Sequence, residues 1–283
     1  MKKYLNYFYN IKVETLHKFD LKYIFSFRGS RYILEEVFCS ENELEEINRM
    51  VIKLLENNIP IHVFMLNRFS NFITYINNKK YILMKVITQK NKINFEEIID
   101  FNCILHVGNC KWKGLWINKI DYYDIRNLER KQNNILLKAF YNYNVAMAEM
   151  GVSLLKEKNI YELYICHRRI NDNPLDFYNP FNLVVDQKSR EYAEYIKYIF
   201  FDNMNKEEVI EMTEHILVLL TNYEKSNVFI RLLYNTYFFD KYEVYLEKEM
   251  EYENIEMIIK KTKEYENFLL YIYDKYISNM SLY

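Results

Sequence analysis

The chain changes its hydrophobic period once. From residue 8 to about residue 87 the apolar positions fall in short runs broken by turn residues. Tyr9 to Leu16, Tyr23 to Phe27 and Arg31 to Val37 read as strands, with Tyr23, Phe25 and Phe27 alternating. Arg28-Gly29-Ser30 is a turn in which Gly29 can take positive φ, so the last two runs form a hairpin. Ser40-Glu41-Asn42-Glu43 then opens a helix in capping-box form, with Leu44, Ile47, Val51, Leu54 and Leu55 on its buried face, and Asn57 to Pro60 stops it. Ile61 to Leu66 predicts another strand. Phe72 to Ile76 and Tyr81 to Val86 predict a second hairpin across Asn77 to Lys80.

Beyond a polar connection at 88 to 94 the period becomes helical. Phe95 to Phe101 predicts a short helix, and Trp112 to Ile120 reads ambiguously. Leu136, Leu137, Phe140, Tyr143, Met147, Leu154 and Leu155 mark one face of a long helix from about Asp121 to Lys158. Glu191 to Phe201, a helix capped by Asn205 with Glu208 at its third position, and helices over Ser226 to Phe239 and Tyr242 to Tyr276 follow. The fold class is therefore α+β: a small antiparallel β lobe carrying one helix over 1–87, and a larger, mainly helical lobe over 88–283.

Composition narrows the function classes. The formal net charge of -1 over 283 residues offers no field for polyanions, which argues against nucleic-acid binding. No run of eighteen apolar residues occurs, and the basic start at Met1-Lys2-Lys3 has no apolar core behind it. The expectation is a cytoplasmic chain with no membrane span. Cys39, Cys103, Cys110 and Cys166 form no CxxC pair and suit reduced thiols. Cys103, His106 and Cys110 have a spacing that could offer metal ligands, but no fourth ligand accompanies them, and packing explains the segment better. Trp112 and Trp116 read as interlobe packing, and His62, His106 and His215 show no partner at ligand spacing.

One stretch stands apart from this scaffold. Cys166-His167-Arg168-Arg169-Ile170 is followed by Asp176-Phe177-Tyr178-Asn179-Pro180-Phe181-Asn182-Leu183-Val184-Val185-Asp186 and then Arg190-Glu191-Tyr192-Ala193, gathering a histidine, acids, asparagines and two of the three prolines. Together with Tyr23 to Val37, the Glu41 helix, Asn77 to Leu83, Leu115 to Tyr122 and Arg231 to Asp240, it resembles the protein-kinase-like phosphotransferases. The detail is similar to the aminoglycoside-phosphotransferase and choline-kinase branch, and within it to the bacterial spore-coat kinase-like proteins. The resemblance covers most of the chain and implies a bilobal kinase-like fold, ATP and Mg²⁺ as cofactors, and a small-molecule hydroxyl as acceptor.

Phosphoryl transfer asks for a lysine on the third strand, an aspartate near the nucleophile, and a carboxylate and an asparagine holding Mg²⁺. This sequence departs from that pattern. Glu35 stands at the expected lysine position, and Lys22 and Arg31 are nearby cations outside it. His167 matches the catalytic loop, but Arg169 stands where the aspartate belongs, and an arginine stays protonated and cannot act as a base. Pro174 stands where the loop asparagine belongs, with Asn173 one residue short. For the metal-binding aspartate the reading leans to Asp186, after Leu183-Val184-Val185 and with Asn182 as the companion ligand, against Asp176 with Phe177.

The first expectation is a pseudokinase: a binding or scaffold module in which phosphoryl transfer is lost or much reduced, with a nucleotide, small molecule or coat protein as partner and a spore-coat setting implied by the resemblance. The alternative is an active phosphotransferase in which Asp172 or Asp176 supplies the base and Arg168 or Arg169 the phosphate donors. Without the resemblance, Arg168, Arg169 and Asp176 would simply pair with Asp172, Asp186 and Glu191 to brace the helical lobe, and His167 would be a core histidine.

Overall fold

The computed structural model describes residues 1–88, 90–129, 134–202, 205–246 and 252–278. Its elements run α1 (Lys2–Tyr9), β1 (His17–Phe19), β2 (Lys22–Phe27), β3 (Ser30–Val37), α2 (Glu41–Glu56), β4 (Val63–Met65), β5 (Ile73–Ile76), β6 (Lys79–Lys85), α3 (Phe95–Asp100) and β7 (Cys103–Gly108). Then follow α4 (Trp112–Glu129), α5 (Ile135–Leu154), β8 (Tyr161–His167), α6 (Pro174–Phe177), β9 (Leu183–Asp186), α7 (Ser189–Phe201), α8 (Lys206–Val218), α9 (Asn222–Leu233), α10 (Thr236–Leu246) and α11 (Tyr252–Ile272). By contacts the chain divides into two compact units, 1–105 with 164–186, and 106–163 with 187–283.

In the first unit, an antiparallel sheet has the order β1-β2-β3-β6-β4, with β5 also pairing β6. Register sets its centre. Ile33 lies opposite Met84 and Leu34 opposite Leu83, and all four are fully buried. Gly29 takes φ +74° at the β2–β3 turn, and Asn77 and Asn78 take φ 49° and 64° at the β5–β6 turn, the left-handed values a two-residue hairpin needs. Helix α2 starts in the expected capping box of Ser40 and Glu43 and buries Leu44, Met50, Val51 and Leu54. A second sheet has the order β7-β8-β9. Strands β8 and β9 are antiparallel with His167 opposite Leu183 and Tyr164 opposite Asp186.

The second unit is helical apart from the ends of β7 and β8. Helix α5 packs on α9 at Gly151, where an added Cβ would lie 3.0 Å from the Ile230 carbonyl oxygen and would press on the α9 backbone.

Several sequence expectations change here. Tyr9 to Leu16 is not a strand, because Lys2–Tyr9 forms a helix closed by Asn10 in the left-handed conformation. The helix expected over 121–158 is two helices, and 130–133 lie outside the described residues. The helix expected over 226–239 ends at Leu233. Thr236 starts the next helix, where the Asn235 side chain accepts from Phe238 N–H. Asn205 caps α8 as expected, accepting from Glu207 N–H. By contacts, 164–186 groups with 1–105 in the first unit.

Candidate functional site

The singled-out stretch becomes the β8–β9 hairpin and its long connection, and two Asn-Pro pairs shape that connection. Asn173 accepts from Leu175 N–H ahead of Pro174 at the first position of α6. Asn179 accepts from Phe181 N–H ahead of Pro180 in a 3₁₀ turn over Pro180–Asn182. Proline fits both first positions because its missing N–H has no helical partner there.

Asn182 closes the loop on itself. Its amide donates to the carbonyls of Arg169 (2.8 Å) and Asp176 (3.2 Å), its Oδ1 accepts from Arg169 N–H (3.1 Å), and its own carbonyl accepts from Arg168 N–H at 2.6 Å. The carboxamide is thus largely used in bracing the loop.

The loop reaches back to the first sheet. Lys22 on β2 and Glu35 on β3 lie directly opposite each other. The Lys22 ammonium sits 2.9 Å from Asp176 and 3.9 Å from Glu35, while the Asn179 amide donates to Glu35 at 2.9 Å. Asp176 also accepts from Asn173 (3.0 Å) and Asn171 (3.4 Å). Burial pushes the Glu35 carboxyl above the usual range, against the pull of Lys22 and the Asn179 hydrogen bond; Asp176 and Asp20 add to the rise.

His62 adjoins this cluster. Its backbone N–H donates to the Tyr178 carbonyl, and burial, with the Lys22 charge, brings its imidazole down to about 4. Asp176 and the Leu175 backbone oppose that shift, the latter weakly, since neither ring nitrogen has a partner at hydrogen-bonding geometry.

The other expected site residues fall as follows. His167 is fully buried, its ring 4.0 Å from Phe177 and 4.1 Å from Phe101. Arg169 turns its guanidinium onto the Arg168 carbonyl at 2.6 Å. Asp172 pairs with Lys92 at 3.0 Å. Asp176 finds its cation on β2, a partner the bracing reading did not name. Asp186 is buried at the far end of β9 from Asn182. Four residues of extended chain separate the two by roughly 13 Å, and Mg²⁺ holds its ligands at about 2.1 Å. The structure therefore brings together Glu35, Asp176 and the loop around Asn182, and does not bring Asn182 and Asp186 onto one ion. Asp176 is engaged by a lysine and two amides. These residues do not fit an Mg²⁺ site of the expected composition.

Among the described residues, no group of three or more His, Cys, Asp and Glu could hold a metal, and no helix is long and apolar enough to cross a membrane. Trp112 meets Tyr161, and Trp116 meets Tyr234 with Arg231 over its ring, all inside the second unit. Lys22 is the member of the cluster that pattern reading placed outside the site. The signal was available in the hairpin itself, since the turn at Gly29 sets a register that puts residue 22 opposite residue 35.

The family described as "Spore coat putative kinase YutH" matches residues 2–272. No curated protein sequence matches the chain. Among solved structures it is similar to an aminoglycoside phosphotransferase from Alicyclobacillus acidocaldarius, with 10% identity, TM-score 0.61, and coverage of 93% of this chain and 92% of that one. It is also similar to amicoumacin kinase hAmiN in complex with AMP-PNP, Ca²⁺ and Ami, at 11% identity, TM-score 0.56 and 99% and 94% coverage. Choline kinase LicA from Streptococcus pneumoniae follows at 10% identity, TM-score 0.52 and 94% and 97% coverage. At these identities the likeness establishes the kinase-like fold.

Proposed function

Because this chain belongs to the spore coat YutH kinase family, we propose that it is a kinase-fold protein that no longer transfers phosphoryl groups and serves as a binding or scaffold module, with a spore coat as its setting. The observation that carries this reading is the joint state of Lys22 and Arg169. The cation nearest Glu35 is already paired with two carboxylates, and the position of the catalytic base holds a guanidinium turned onto a neighbouring carbonyl. Lys22, Glu35 and Asp176 sum to a formal charge of -1. A phosphate 4 Å from an uncompensated carboxylate meets a repulsion of about 4 kcal/mol at the effective dielectric of a protein surface.

Thermal unfolding with ATP and Mg²⁺ tests the proposal. An intact site at about 100-fold its Kd would raise Tm by roughly 5 °C or more, and the expectation here is no shift and no turnover over a panel of hydroxyl acceptors. A saturable shift with turnover, both lost in Lys22→Met, would sink it.

One observation favours a second reading. Lys22 and Asp176 stand 2.9 Å apart, so a lysine from β2 and an aspartate from the loop could act as a relocated phosphate-binding group and base. Turnover lost in Asp176→Asn but kept in Asp172→Asn would select that reading and identify the base.

A further inference from the structure

The helical unit contains a groove that shares no residue with the 167–186 stretch. It encloses about 530 Å³ between α5, α9 and the end of α11, within the range of small-molecule sites. Its floor is Phe229, Ile230, Leu233, Leu269 and Ile277, all buried. Its mouth is formed by Met150, Leu154, Leu270 and Tyr273, which are 44%, 37%, 58% and 38% exposed. Large aliphatic and aromatic side chains open to solvent around a concave apolar floor are the arrangement that a ligand's apolar body fills.

Two local features shape the groove. The helix ends in a π turn over Tyr273–Ile277, closed by Ser278 N–H donating to the Tyr273 carbonyl. Its two ends, Tyr273 and Ile277, both line the groove. Such turns are rare and recur at functional sites. On the other wall, Gly151 brings α5 close to α9, which narrows the groove between Met147, Met150 and Leu154 on one side and Ile230 and Leu233 on the other.

Charge decides the ligand's chemistry. Of the residues lining the groove, Glu266 alone is charged, and no lysine or arginine is among them. Tyr143 also lines the groove, and burial, with the Glu266 carboxylate nearby, raises its phenol well above the ordinary range. A carboxylate at one end of an apolar groove attracts a cationic head and repels an anionic one, so fatty acids are disfavoured.

We propose that this groove binds a small amphiphile with an apolar body, seated over Phe229, Ile230 and Leu233, and a protonated amine head held by Glu266. The site is independent of the degenerate kinase loop, and its test does not depend on phosphoryl transfer.

Calorimetric titration of the full chain with decylamine, decanol and decanoate as probes gives the test. Decylamine should bind saturably at one site, about tenfold more tightly than decanol, with decanoate weakest. Glu266→Gln should remove the amine's advantage while leaving decanol unchanged. Met147→Trp should fill the groove and abolish binding of all three, and Leu154→Trp at the mouth replaces it if circular dichroism shows that Met147→Trp does not fold. The proposal is overturned by decylamine giving no saturable heat, by decanoate matching decylamine, or by binding that survives a folded groove-filling variant. It is equally overturned if the groove proves to be a contact between two copies, seen as a dimer that Leu270→Asp dissociates and that decylamine does not compete with.

Discussion

Among the lysines that carboxylates hold in this protein, Lys197 and Lys22 are held differently. Lys197 in α7 is paired with Glu194 one turn away at 2.6 Å, with Thr236 bonded to both, and the two charged side chains are 2% and 6% exposed. Lys22 in β2 is paired with Asp176, 154 positions along the chain, and with Glu35 across the strand, with side chains 21%, 38% and 14% exposed. The first is a sealed brace whose partners have no water to fall back on. The second is an open cluster whose members can exchange partners with solvent or a ligand. Burial, more than the count of contacts, separates a sealed ion pair from an open one.

The comparison breaks first at Lys197. Lys197→Met leaves the Glu194 carboxylate in a dry interior, and urea unfolding should show a loss of about 3–5 kcal/mol. The double variant Lys197→Met with Glu194→Leu should recover much of that loss, since apolar replacement of a buried pair is often neutral or better. Failure to recover would show that the pair contributes more than charge neutrality.

The next effect comes from protons. Unfolded His62 takes up a proton near pH 6.5, but the folded ring does so only near 4. The stability gained by keeping it neutral is therefore complete above pH 6.5 and is lost as pH falls toward 4, by about 3 kcal/mol at the limit. Glu35 works in the opposite direction. Its folded pKa is raised, so its contribution is complete below the ordinary glutamate range and declines as pH rises through the folded value. Unfolding free energies at pH 7 and pH 4.5 should differ far less in His62→Leu than in the parent, and an unchanged difference would remove His62 from the account.

The smallest effect should be at Lys22 itself. Lys22→Met should cost about 1 kcal/mol or less in low salt and less again in high salt, because its partners remain partly solvated. It should also push the Glu35 carboxyl further up, since the opposing cation is gone. A loss comparable to that of Lys197→Met would erase the distinction between the two clusters.

Much of the frame was legible because its signals are short-range. The Ser40–Glu43 box, the turn at Gly29 and the Asn77-Asn78 turn each lie within a few residues, and each appears where the pattern placed it. The first helix was missed, since Lys2–Tyr9 carries only one buried residue, Leu5, and its short pattern next to strands gave no period to separate it. The helix break at Asn235 was missed because apolar positions continue on both sides of it.

The candidate site was legible as a stretch but not as a set of contacts. Sequence placed His167, Arg169, Asp176, Asn179 and Asn182 in one loop and marked Glu35 as out of character, because residue type and spacing against a phosphotransfer pattern are properties of the chain itself. Only the tertiary structure decided that Lys22 answers Asp176 as well as Glu35, and that Asn182 is used in bracing its own loop. The turn at Gly29 already sets residue 22 opposite residue 35, but the meeting of Lys22 with Asp176 spans 154 positions, and no local period or motif encodes it.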